Sequence, residues 1–390
     1  RLFLEQNMLS SFPNNMLNMT SLTELWLGSN RIATIDEQVV KKFASRTPLT
    51  FLSLDCNILD EIPAGIGDLS LLRELRLSAN GLSLVPPLSI GRMNLLTELW
   101  LQNNRLAALP EDIGLMQNLK RLYVNNNDLV RLPLSVAGWT SLEELWVHEN
   151  RLEYLPEDTH RMCSLRLLRA SMNRITVVPV HLEQLTALRE LELGHNRIQR
   201  LTLPDGGLLR LSNLQKLSVE TNQLLEIPMD DLPKKSGRTQ MFVRSGSHTG
   251  SQPSEGIAGL KSLTHLRMDC NKLLIVPPDM GNMINLETLN LSFNRIQWLP
   301  VEMGELKSLT KLSLHENPVM KMRPELKALE HDARALISYF RAEKEQDLRN
   351  SGLTKVPEHV TTKLLLQDLY ISHNTLSVLP PTLHILRELR

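Results

Sequence analysis

Residues 141–156 read SLEELWVHENRLEYLP, and the rest of the chain can be read outward from them. Leucine or valine stands at Leu142, Leu145, Val147, Leu152 and Leu155, Asn150 divides them, and Pro156 closes the stretch. The frame L-x-x-L-x-L-x-x-N-x-L-x-x-L-P recurs with its Asn at Asn7, Asn30, Asn57, Asn80, Asn104, Asn127, Asn150, Asn173, Asn196, Asn222, Asn271, Asn294, Asn317 and Asn374. Ser351 fills one further slot, which makes fifteen turns, and most steps are 23 residues. A period of this length marks a stack of supersecondary units, none of which can bury its own leucines. Such a chain grows by adding neighbours, so 390 residues need not mean two or three compact domains.

The pattern inside one turn sets its shape. Leu145 and Val147 alternate with Glu144, Trp146 and His148, the period of a strand with one face inward. The Asn amide both donates and accepts, so it can satisfy backbone groups of a tight loop that no ladder reaches. Pro stands six places after it in twelve of the fifteen turns, as at Pro110, Pro133 and Pro156, and fixes a return segment of short helix or 3₁₀ type. The expected fold is an α/β solenoid, a horseshoe with a parallel concave sheet and short helical or 3₁₀ convex segments. Asn104, Asn127, Asn150 and Asn173 are its structural residues.

Departures from the period carry information. Asn30 to Asn57 is 27 residues without the Pro, which predicts a longer convex helix around Glu37–Ala44. Asn196 to Asn222 is 26 and holds Pro204-Asp205-Gly206-Gly207, a small turn. Asn222 to Asn271 is 49, and the surplus at 232–256 is rich in Ser, Gly, Thr and basic residues. That composition predicts a mobile convex loop, read either as a regulated tether or as a tolerated insertion. After Asn317-Pro318, Leu326, Leu329, Ala333, Leu336, Ile337 and Phe340 fall at helical spacing, which predicts one amphipathic helix over about Pro324–Glu345. The expected organisation is a solenoid over 1–317, a capping helix segment over 318–346 and resumed repeats over 347–390, cut at both ends.

Composition narrows the function classes. Lys plus Arg equals Asp plus Glu at 43 each, so no net field favours nucleic acid or an anionic membrane. No apolar run is long enough to span a bilayer, and no signal peptide is visible. Cys56, Cys163 and Cys270 are scattered rather than clustered in a terminal cap, which favours a reducing, cytoplasmic setting. P-loop, Rossmann, HExxH and CxxC motifs are absent. His160 and Cys163 are only two potential ligands on a convex segment, so no metal, cofactor or catalytic constellation is expected.

Turns of the type Leu109-Pro110-Glu111-Asp112-Ile113-Gly114 resemble those of the intracellular Ras-group leucine-rich-repeat proteins, and the resemblance runs over nearly the full chain. Asn317-Pro318 through Pro324-Glu325 to Tyr339-Phe340-Arg341 looks like the closing motif of that class, although repeats resume after it. The resemblance implies a scaffold that binds signalling or cytoskeletal proteins, in some members Ras-type GTPases.

A docking site follows from the outward strand position four before each Asn. It holds Phe3, Trp26, Trp100, Tyr123, Trp146 and Tyr370, six aromatics in fifteen slots, where sixteen aromatics in 390 residues would give about 0.6 by chance. Trp100, Tyr123 and Trp146 fall on adjacent strands about 5 Å apart, with Glu74, Glu98, Glu144, Glu149 and His148 around them. Trp and Tyr dominate interface hot spots, so a partner with apolar groups and some positive charge is expected here. The competing reading is that the rings stack on one another while Glu98, Arg121 and Glu144 form a self-satisfied ladder. If the rings bind, replacing Trp100 and Trp146 by Ala abolishes binding and leaves the unfolding midpoint nearly unchanged. A second, more basic area comprises Lys216, His265, Arg267, Asp269, Lys311 and His315.

The expected function is a non-enzymatic protein-interaction scaffold. Its partner would be a protein such as a small GTPase or a cytoskeletal or ciliary assembly, with no nucleic acid and no membrane insertion. Two alternatives are the recognition or autoinhibitory part of a larger cyclase, phosphatase, kinase or GTPase, and a structural component of an assembly such as an axoneme.

Overall fold

The computed structural model describes residues 1–203, 206–228, 256–347, 349, 353–356, 360, 366–386 and 389. The predicted loop at 232–256 (apart from Gly256), Pro204-Asp205 and the Ser351 slot lie outside the described residues. The chain forms two compact units, Arg1–Gln223 and Leu224–Arg390.

In the first unit the predicted strands are present: β1 (Leu2–Phe3), β2 (Glu24–Trp26), β3 (Phe51–Ser53), β4 (Glu74–Arg76), β5 (Glu98–Trp100), β6 (Arg121–Tyr123), β7 (Glu144–Trp146), β8 (Leu167–Arg169) and β9 (Glu190–Glu192). A short hairpin, β10 (Thr202–Leu203) with β11 (Gly206–Gly207), precedes β12 (Lys216–Ser218), which pairs with β9. The repeat strands pair in parallel with one residue per turn in register, as Leu99↔Leu122 and Leu122↔Leu145 show. Their central leucines, Leu75, Leu99, Leu122, Leu145, Leu168 and Leu191, are fully buried. Burying a Leu side chain is worth about 1.5–3 kcal/mol, so the sequence period is also the period of the driving force.

The Asn ladder binds successive turns together. Asn150 Nδ2 donates to the carbonyls of Val124 (3.0 Å), Val147 (3.1 Å) and His148 (3.2 Å), and its Oδ1 accepts from the N–H of Leu129 at 3.0 Å. Asn104, Asn127 and Asn173 repeat this pattern. The residue just before each Asn lies in the left-handed region, with φ of 54° at Cys56, 54° at Glu149 and 54° at Met172. Its N–H then reaches the next turn, just past the strand, as Glu149 N–H does to the Ser171 carbonyl at 3.0 Å. Cys, Glu and Met carry no signal for this conformation, so it could not be read from the sequence.

Convex segments are mostly 3₁₀ turns capped by the predicted prolines, for example Glu111–Leu115 after Pro110 and Leu134–Gly138 after Pro133. The 27-residue turn carries a true helix, α1 (Glu37–Ala44), as expected; Asp36 accepts from the N–H groups of Gln38 and Val39. Trp139 is core, with its Nε1 donating to the Ile113 carbonyl at 3.0 Å.

The second unit holds β13 (His265–Arg267), β14 (Thr288–Asn290) and β15 (Lys311–Ser313), parallel and in register. The single long helix expected over Pro324–Glu345 is not formed. Instead α2 (Pro318–Met322), α3 (Pro324–Ala328) and α4 (Ala333–Lys344) follow one another. Asp332 is extended and accepts from the Ala335 N–H, so it caps a new helix rather than continuing the old one. Glu330, in the intervening turn, pairs with His315. Leu336, Ile337 and Phe340 bury the inner face of α4, which packs on the convex segment 301–305; Arg341 donates to the Gly304 carbonyl at 3.0 Å and Lys344 pairs with Glu305 at 2.7 Å. Then β16 (Glu345–Asp347) pairs with β17 (Asp368–Tyr370), and Leu353 N–H meets Asn374 Oδ1 at 2.9 Å, so the frame resumes immediately after α4.

Candidate functional site

The outward side chains of the first unit make a continuous strip. Phe3 stacks on Trp26 (5.8 Å between centroids) and Trp26 on Phe51 (4.0 Å). The Arg76 guanidinium then lies 5.6 Å from the Trp26 ring, 5.3 Å from Phe51 and 4.7 Å from Trp100. Trp100 meets Tyr123 at 4.4 Å, Tyr123 meets Trp146 edge-on at 4.9 Å, and the Arg169 guanidinium covers Trp146 at 4.4 Å. The physical cause is the register: one outward residue per strand puts each ring within stacking range of the next.

The expected site residues Trp26, Trp100, Tyr123 and Trp146 therefore share one face, but they are not equally open. Trp26, Trp100 and Trp146 are half-buried. Tyr123 is only 7% exposed because the two indoles close over it, which corrects the expectation of three rings displayed alike. Its hydroxyl donates to Glu144 at 3.2 Å, and burial together with that carboxylate pushes its pKa up. Phe51, Arg76 and Arg169 belong to the strip and were not singled out in the sequence. Two of them occupy the same row as the rings and Phe51 the row two places earlier, so strand arithmetic held the signal.

The glutamates divide. Glu74 is held by Arg76 at 2.6 Å, and beyond the strip Glu190 is held by Lys216 at 2.7 Å. Arg121 pairs closely with Glu98 and reaches Glu144 at 3.4 Å, so one guanidinium faces two carboxylates. The Glu98–Arg121–Glu144 ladder expected from the sequence is thus present alongside the rings, but with one cation for two carboxylates it is not self-satisfied. Glu98 beside Arg121 holds the guanidinium firmly charged. His148 lies 5.8 Å from Trp146, and burial pushes its pKa down, so the imidazole stays neutral. Five covered atoms near this stretch have no hydrogen-bond partner: Trp146 Nε1, Gln102 Oε1, Asn125 Oδ1, His148 Nδ1 and Arg169 Nε.

The second unit has no matching strip on β13–β15, where the corresponding residues are Arg267, Asn290 and Ser313. Within the basic area named from the sequence, Arg267 lies 3.5 Å from Asp269, and His315 pairs with Glu330. Among the described residues no group of three His, Cys, Asp or Glu side chains is placed to hold a metal, and no helix is long and apolar enough to cross a membrane.

Residues 257–319 match the family described as Leucine rich repeat. A solved leucine-rich-repeat protein of Leptospira interrogans superposes with a TM-score of 0.64 at 26% identity, covering 100% of this chain and 88% of that one. The chain is a leucine-rich-repeat protein. This repeat protein is also 33% identical over 126 residues to a probable inactive serine/threonine-protein kinase, roco10, of Dictyostelium discoideum; the match takes in 31% of this chain and only 4% of that relative. The plant peptide hormone receptor RGFR1 in complex with RGF2 shares the fold, with a TM-score of 0.62 at 22% identity over 100% of this chain and 61% of that one.

Proposed function

We propose that the repeat protein is a non-enzymatic scaffold that docks a protein partner on the outward face of β5–β7. The observation that carries this reading is the ring cluster Trp100–Tyr123–Trp146, half-buried at its two indoles and placed on a rigid sheet. Apolar faces of this kind on soluble proteins mark sites of association. The fold shared with a peptide-bound receptor supports it. Trp100→Ala with Trp146→Ala is expected to abolish capture of the partner. The two indoles also cover Tyr123, so the double variant loses about 1–2 kcal/mol of stability rather than nothing. Binding measured alongside circular dichroism checks both. A folded double variant with unchanged affinity would sink the proposal.

A second reading is the recognition part of a larger signalling enzyme, favoured by the match to a small fraction of the kinase-like roco10. Full-length transcripts from the source would decide it. The three cysteines are free and exposed, which suits a reducing compartment. A cytoplasmic place, a Ras-group subclass and a small GTPase or cytoskeletal partner belong to this proposal, and imaging of the tagged full-length protein tests the first of them.

A further inference from the structure

Charge on the ring strip is balanced one to one at its flanks. Glu74 faces Arg76, and Glu192 faces Arg169 at 3.4 Å. Between them the balance fails. On β5–β7 one cation, Arg121, serves two carboxylates, Glu98 and Glu144, which leaves one negative charge uncompensated beside Trp100, Tyr123 and Trp146. His148, the nearest titratable base in the row beyond, does not supply the missing charge because burial keeps it neutral. The outer indoles are not free for a foreign cation to stack on, since Arg76 already lies against Trp100 and Arg169 against Trp146. A cation arriving here is directed to the carboxylates, and apolar groups are directed to the rings.

We propose that the occupant is an extended segment of a protein partner carrying a single Arg or Lys between uncharged, apolar residues, with that cation seated against Glu98 and Glu144. The inference rests on the docking reading above and narrows it. A strongly basic segment does not fit, because the surface offers one unmatched charge and the flanking arginines would repel more. An acidic segment meets the excess carboxylate directly. Charge-assisted hydrogen bonds are about twice as strong as neutral ones, so one well-placed pair suffices to select a sequence.

The test is selection from a random peptide display library against the full chain, followed by affinity measurement on a selected peptide and its Arg→Gln counterpart. Enriched sequences with one basic residue among apolar ones, lost on Trp100→Ala with Trp146→Ala, are the expected result. Glu144→Gln restores a one-to-one balance and still offers Tyr123 an acceptor, so it should weaken the Arg peptide about tenfold and leave the Gln peptide unchanged. Sequences that need the two indoles but carry no basic residue, or that respond equally to Glu144→Gln with Arg and Gln, would overturn the charge inference and leave docking intact. Sequences indifferent to the two indoles would overturn the docking reading itself.

Discussion

Single residues in this chain have jobs that differ sharply with position in the turn. Asn150 bonds three carbonyls and one N–H, and all of these bonds but the one to the His148 carbonyl are buried. Asn150→Ala strands the Leu129 N–H, while the three carbonyls each lose one donor and keep another: Asn127 Nδ2 on Val124, Asn173 Nδ2 on Val147 and the Asn126 N–H on His148. A stranded buried group costs about 1–3 kcal/mol, and urea unfolding should show a loss of that size. Asn7, exposed and bonded only to carbonyls of its own turn, should lose far less on the same change. His148 gives a pH signature. Its folded pKa is depressed by burial, so the unfolded chain takes up the proton first as pH falls. Stability is therefore full above the ordinary value of 6.5 and declines as pH drops through the folded value. Thermal unfolding between pH 7.5 and 5 should show this decline, and His148→Gln should flatten it.

Whole elements depend on close approach more than on propensity. α4 lies on the convex segment 301–305 because Gly304 has no side chain: an added Cβ would stand 2.8 Å from the Arg341 nitrogen and 3.0 Å from its Cα. Those are backbone atoms and cannot swing away. Gly304→Ala is expected to cost about 1–3 kcal/mol and to raise hydrogen exchange selectively in residues 333–344. An unchanged exchange rate in α4 would show that the segment tolerates the shift. The same element shows where periodicity misleads, since Leu329 and Ala333 keep helical spacing although the helix stops and restarts between them. The restart follows from Asp332 capping α4 and Glu330 turning to His315, contacts that no spacing rule contains.

Across the first unit, stability is carried by neighbours, as in any stack of repeats. Among the described residues β1 pairs with β2 alone, and its outward Phe3 is 60% exposed, whereas the central leucines of β5–β8 are fully buried with turns on both sides. Amide exchange should accordingly be slowest across β5–β8 and rise toward β1. Uniform protection through the unit would instead mean that it opens as one cooperative body. The docking strip thus lies in the part expected to open least, which suits a preorganised surface.

The repeat frame alone determined the strands, their register, the buried leucines, the Asn ladder and the outward row of rings. Each of these depends on a residue and its image about 23 places away, and that relation is written into the period. Tertiary structure alone decided the rest. Tyr123 disappears beneath its neighbours, Arg76 is caged by rings from three strands, one arginine is shared by two glutamates, and the closing helix breaks at Asp332. These features depend on side-chain rotamers and on competition between several possible partners at once. A linear pattern lists the competitors, and only packing in three dimensions chooses among them.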